Sequence, residues 1–168
     1  MKNIVLIGMP GCGKTTIGRM LSKKIGYSFV DMDKVIEQKG LTIDELFEVG
    51  EKAFRDVESY VAVELSALSD AVISTGGGVI VRKQNTDSLG KSGIIVFIDR
   101  PLKNISKDIK TKKRPLLRDK QDDLIKLYNE RYPLYIDQSD IHIINDKKMF
   151  MVVEEILAAI KGVEESNG

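Results

Sequence analysis

The chain has 168 residues, 42% hydrophobic and 30% charged, with a formal net charge of +1. That balance predicts a single soluble globular domain over residues 1–168 and excludes bulk electrostatic attraction to nucleic acid or a membrane surface. Its one cysteine, Cys12, excludes an intrachain disulfide and a cysteine-rich metal site; a reducing, cytoplasmic setting is expected.

The first apolar run, Ile4-Val5-Leu6-Ile7, is too short for a signal-peptide core, and no run in the chain approaches bilayer-spanning length. It reads as a buried parallel strand, Asn3–Ile7. Gly8-Met9-Pro10-Gly11-Cys12-Gly13-Lys14-Thr15 follows and satisfies G-x-x-x-x-G-K-[ST]. Its position between a strand and the amphipathic helix Lys14–Ile25 is the context that gives this motif its meaning. A triphosphate needs several backbone N–H groups at once, and a glycine loop feeding a helix N-terminus supplies them. Gly11, Cys12 and Gly13 form the cradle, and Lys14 reaches the outer phosphates. The Thr15 hydroxyl is a Mg²⁺ ligand, with Thr16 the alternative hydroxyl.

A second strand, Ser28–Asp31, leads into Asp31-Met32-Asp33. Two readings fit this pair. Asp33 caps a helix beside an exposed acid, or one carboxylate supports Mg²⁺ while the other orients an attacking hydroxyl. Thr42-Ile43-Asp44-Glu45 is a capping box that starts a short helix. A long helix, Lys52–Leu68, carries Arg55 between Glu51 and Glu58. Taken alone Arg55 reads as a surface charge; beside a pocket its fork would clamp a carboxylate, with Glu58 holding it. The third strand, Ala71–Thr75, opens onto Gly76-Gly77-Gly78, which is costly in chain entropy unless something approaches the backbone closely.

A fourth strand spans Ile94–Ile98. The basic run Lys110 to Arg118 is either a solvated surface or a lid that brings charge over a transferred phosphoryl group. Helix Asp122–Asp137 contains Arg131 and Pro133, and the proline predicts an end or a bend nearby. Alone, Arg131 reads as a surface charge. A fifth strand, Ile141–Ile144, contains His142, a structural strand residue. Asn145-Asp146-Lys147 follows it, beside the expected nucleotide site. Helix Met149–Ile160 and a frayed tail over 162–168 close the chain. Strands alternating with helices predict an α/β fold: a five-stranded parallel sheet flanked by helices, with ligands at the strands' carboxyl ends.

Gly8–Thr15, Asp31-Met32-Asp33, Phe54-Arg55-Asp56-Val57-Glu58, Gly76–Gly78, Arg114-Pro115-Leu116-Leu117 and Arg131-Tyr132-Pro133-Leu134-Tyr135 occur in order over nearly the whole chain. In this combination the sequence resembles shikimate kinases. The resemblance implies a P-loop kinase fold with a mobile lid at about 110–122. It implies ATP-dependent phosphorylation of the shikimate 3-hydroxyl, a step toward chorismate and aromatic amino acids, by a monomer. On that resemblance Asp33 holds the reacting hydroxyl, and Arg55 and Arg131 bind the substrate carboxylate. Gly76, Gly77 and Gly78 meet the substrate, Arg114 contacts phosphates, and Asp31 supports Mg²⁺. The stretch before Arg114 departs from the family pattern: lysines stand where an arginine would stack on adenine, and lysine lacks the flat guanidinium.

Overall fold

The computed structural model describes residues 2–111 and 117–167. Five strands form one all-parallel sheet: β1 (Asn3–Ile7), β2 (Ser28–Asp31), β3 (Ala71–Ser74), β4 (Gly93–Asp99) and β5 (Ile141–Ile144). Their spatial order is β2-β3-β1-β4-β5. Strand β1 lies in the middle, paired with β3 on one side and β4 on the other. The chain builds β2 and β3 on one flank and then crosses to build β4 and β5, so the order reverses at β1. Such a reversal opens a crevice at the carboxyl ends of the strands.

Strands β1 and β4 are buried at every residue, as a parallel sheet covered on both faces requires. The edge strand β2 is half-exposed, and β5 alternates buried and exposed positions. Helix α1 (Lys14–Ile25) packs on β1, β2 and β3. A short α2 (Met32–Glu37) and α3 (Ile43–Val49) lead into α4 (Glu51–Leu65). The predicted capping box is present, with Thr42 and Glu45 bonding each other's backbone N–H. Helix α5 (Lys83–Gly90) packs on β4 and against α4. Helix α6 (Leu102–Thr111) follows β4, and α7 (Leu117–Asp137) leads to β5. Helix α8 (Met149–Ser166) packs on β5 and against α1.

Several boundaries differ from the sequence pattern. Helix α4 ends at Leu65 rather than Leu68, because Ser66, Ala67 and Leu68 turn back on the last carbonyls. Pro133 does not end α7, which runs on to Asp137. Residues 162–166 are no frayed tail: α8 continues through Gly162 to Ser166, with Val163 packed against the core. A lone glycine lowers helix propensity by only about 1 kcal/mol, which packing offsets. No described helix is long and apolar enough to cross a membrane.

Candidate active site

The loop after β1 curls through left-handed backbone at Gly11 (φ 79°) and Gly13 (φ 100°), conformations that favour glycine. Cys12 N–H donates to the Met9 carbonyl at 3.1 Å, closing a tight turn, and its side chain is buried inside the loop. Helix α1 then starts at Lys14, so the free N–H groups of its first turn sit at the crevice. Lys14 Nζ donates to the carbonyls of Gly8 (2.7 Å) and Met9 (3.0 Å) and rests 3.6 Å from Cys12 Sγ. An ammonium has three donors. A phosphate oxygen therefore needs to displace only the weak thiol contact.

Two side chains from elsewhere hold the outer side of this loop. Asn145, 7% exposed at the end of β5, donates to the Cys12 carbonyl at 2.8 Å. Arg100, just after β4, donates to the Gly11 carbonyl at 3.0 Å and to Asp108 Oδ2 at 2.6 Å. A trans peptide points its C=O and N–H in opposite directions. Asn145 therefore turns the Gly13 N–H away from itself, toward the cradle. Asn145→Ala strands the Cys12 carbonyl and frees that peptide. The expected result is a rise of about tenfold in KM for the nucleotide, with KM for the acceptor unchanged, read by steady-state kinetics.

The main cavity, about 480 Å³, is lined by Pro10, Gly11, Gly13, Lys14, Thr15 and Thr16 together with Asp33, Thr75, Gly76, Gly77 and Arg100. The phosphate loop, one carboxylate and the glycine run thus share one space. Beside it a cavity of about 300 Å³ lies between Asn104 on α6 and Asn145, Lys147 and Met149, with Arg100 and Gly13 common to both. Cys12 helps line this second cavity. Its chemistry suits the nucleoside end of a nucleotide whose phosphates lie on the loop.

Asp31 and Asp33 take different parts. The helix cap is Asp31, not Asp33: its Oδ1 accepts from the N–H of Asp33 (3.1 Å) and Lys34 (3.4 Å). That leaves Asp33 on the first turn of α2, facing the cavity. Burial pushes its carboxyl above the usual range and the Asp31 charge adds to this, while Lys14 opposes it. A carboxylate that is less comfortable ionised is a better proton acceptor.

Arg55 is not a surface charge. It is 6% exposed, and Glu58 is 1% exposed. Arg55 Nη1 donates to Glu58 Oε1 at 2.9 Å and to the Gly78 carbonyl at 3.1 Å, and Glu51 lies 3.6 Å from Nε. Glu58 Oε2 and Arg55 Nε are both buried without a hydrogen-bond partner. Burial pushes the Glu58 carboxyl up and Arg55 pulls it back, while Asp33 raises it and Arg131 lowers it through space. The four charges therefore share one neighbourhood. Burial pushes the hydroxyl of Tyr135, one helical turn later on α7, above its usual range, and the Arg131 charge opposes this.

The glycine run explains how these groups converge. A Cβ on Gly76 would lie 2.8 Å from Asp33 Oδ1, and one on Gly77 would lie 2.6 Å from the Pro10 ring. One on Gly78 would lie 2.5 Å from Arg55 Nη1. The expected close approach is real, and it is made by three of the chain's own side chains.

The donors fit a Mg²⁺ held mainly by phosphate and water. Thr15 and Thr16 hydroxyls line the cavity with Asp33, and Asp31 keeps its second oxygen free of backbone. Among the described residues no cluster of three or more His, Cys, Asp or Glu side chains forms an all-protein metal cage. His142 stays structural, its Nε2 2.8 Å from Asp99 Oδ2 and its ring stacked on Phe97. Arg114 lies outside the described residues; of the expected lid at about 110–122, residues 110–111 close α6 and 117–122 open α7.

Sequence reasoning missed Arg100, Tyr135 and the Asn145 tether as site builders. The spacing of Arg131 and Tyr135, i and i+4 on one helix, was the available signal for Tyr135.

The sequence model of the shikimate kinase family matches residues 10–161. A shikimate kinase of Clostridium beijerinckii is 48% identical over 99% of this chain and 100% of its own length. A solved shikimate kinase of Acinetobacter baumannii, in complex with shikimate, superposes with a TM-score of 0.86 at 35% identity, covering 96% of this chain and 94% of that one. A gluconokinase from Sinorhizobium meliloti, at 16% identity and a TM-score of 0.69 over 98% and 94% of the two chains, shares the fold alone. With a family match across most of the chain and relatives similar along their full length, this chain belongs to the shikimate kinase family.

Proposed function

We infer that this chain transfers the γ-phosphoryl group of ATP to the 3-hydroxyl of shikimate, giving shikimate 3-phosphate and ADP. The observation that carries the reading is the buried Arg55–Glu58 pair, tied to Gly78 and set behind Asp33 and Gly76, which line the cavity that begins on the phosphate loop. A nucleotide kinase of the same fold has no need of that carboxylate clamp, and a regulatory nucleotide switch has no need of an acceptor pocket; gluconate also carries a carboxylate, and against it stands the family to which the chain belongs.

Transfer is in-line: the acceptor oxygen bonds the γ-phosphorus, the bond to the β-bridging oxygen breaks, and ADP leaves. Asp33 orients the hydroxyl and takes its proton. Arg55 and Arg131 grip the substrate carboxylate, Glu58 holds the Arg55 fork, and the Gly76–Gly78 backbone forms the platform beneath the ring. Lys14 and the loop N–H groups hold the outer phosphates, and Arg114 from the lid adds charge there. Mg²⁺, when bound at Thr15 and supported by Asp31, neutralises charge on the phosphate oxygens. The chain works as a cytoplasmic monomer, without nucleic-acid or membrane partners.

The test is ADP release followed by a coupled assay with Mg²⁺ and ATP, comparing shikimate, gluconate and no acceptor. Release that depends on shikimate is expected. Turnover that ignores shikimate, or that follows gluconate instead, would overturn the reading.

A further inference from the structure

Tyr135 is fully buried, at 0% exposed, and its ring stacks on Phe97 at a centroid distance of 4.9 Å. Packing accounts for the ring but not for the hydroxyl. A buried hydroxyl must find partners, and this one donates to the Gly77 carbonyl at 2.6 Å, 58 positions away. The Arg131 charge, one helical turn earlier, acts on the same hydroxyl and opposes the rise that burial imposes on it. The hydroxyl thus holds the glycine platform from the helix that carries one arginine of the clamp. The other arginine reaches the same platform directly, through the Gly78 carbonyl. Tyr135 and Arg55 are thus secured to adjacent peptides. The Gly77 carbonyl and the Gly78 N–H belong to one trans peptide, so Tyr135 also sets which way that N–H points.

The hydroxyl is not needed to dock α7. Three residues on, Gln138 Nε2 donates to the Ile80 carbonyl at 2.9 Å, and its Oε1 accepts from Thr86 Oγ1 at 2.6 Å. This separate tether anchors the same helix to the segment just past the glycines.

We propose that Tyr135 is a positioning residue for the acceptor: its hydroxyl fixes the Gly77–Gly78 peptide, next to the peptide that holds Arg55, and so sets the geometry of the carboxylate clamp. The inference rests on the proposed function above.

Tyr135→Phe keeps the ring and removes only the hydroxyl. The expected result is KM for shikimate raised about tenfold, with KM for ATP within about twofold of wild type. Gln138→Ala is the structural comparison, expected to lower the melting temperature while leaving both KM values within about twofold. Wild-type chain without shikimate-dependent ADP release would overturn the functional reading and this inference with it. Wild-type turnover with an unchanged KM for shikimate in Tyr135→Phe would overturn the inference alone. So would an equal rise in both KM values, or a Tyr135→Phe chain that does not fold, since each marks the hydroxyl as merely structural.

Discussion

Asp33→Asn is expected to lower kcat about a thousandfold while ATP affinity stays within about twofold of wild type. A positioned general base contributes roughly 10²–10⁴-fold. Asparagine keeps the shape of the side chain and a carbonyl oxygen for the substrate hydroxyl, but it cannot take the proton. The substitution also removes a buried negative charge that Asp31 and the low-dielectric surroundings disfavour. Folding should therefore not suffer, and the melting temperature should hold or rise. Loss of turnover in a chain at least as stable as wild type separates chemistry from structure. Single-turnover kinetics and nucleotide titration read the two quantities. Turnover equal to wild type would remove Asp33 from the mechanism.

Gly78→Ala is expected to reduce kcat/KM for shikimate roughly a hundredfold, a loss of the size that misplacing a positioning group by about 1 Å brings. The backbone of Gly78, at φ −99° and ψ 10°, is open to alanine, so strain in the chain is not the cause. The cause is the new methyl, which would stand 2.5, 2.6 and 2.9 Å from Nη1, Nη2 and Cζ of Arg55. The guanidinium must leave, and Glu58 then loses its partner inside the protein. Breaking a buried ion pair destabilises strongly, so the melting temperature should fall as well. Nucleotide binding, which depends on the opposite end of the cavity, should be preserved. A variant that keeps wild-type kcat/KM for shikimate would show that Arg55 is not the clamp.

How much of this was readable beforehand follows from what each signal depends on. Strands β1 and β4 are continuous apolar runs, and the phosphate loop is fixed by residue type at fixed spacing, so local sequence suffices. The patterns do not single out α2 or α5, which are short or polar and owe their place to neighbours, whereas α6 does carry a helical period in Leu102, Ile105 and Ile109. Helix α7 begins five residues before Asp122, where a charged stretch can be helical but has no apolar period to announce it. Arg55 was hardest. Polar residues flank it along its helix, which reads as a solvated face. Its burial is decided by Gly78, 23 positions away, and by the absence of a side chain there. The caps show the same limit in miniature: Asp31 and Asp33 are equally good candidates by residue type, and only the turn of the backbone after β2 assigns the cap to Asp31.

The two ends of the site are anchored at unequal depth in the sheet. The phosphate loop grows from β1, which has a strand on either side, whereas Asp33 follows β2, an edge strand paired only with β3. Edge elements open with less free energy than central ones. Asp33 is thus held on a border of the sheet that opens locally at lower cost than the centre from which the phosphate loop grows. A ligand that spans Asp33, the glycine run and α7 binds only the closed form, so it slows this opening at the edge far more than at the centre. Substrate here acts as a staple on the β2 border of the sheet.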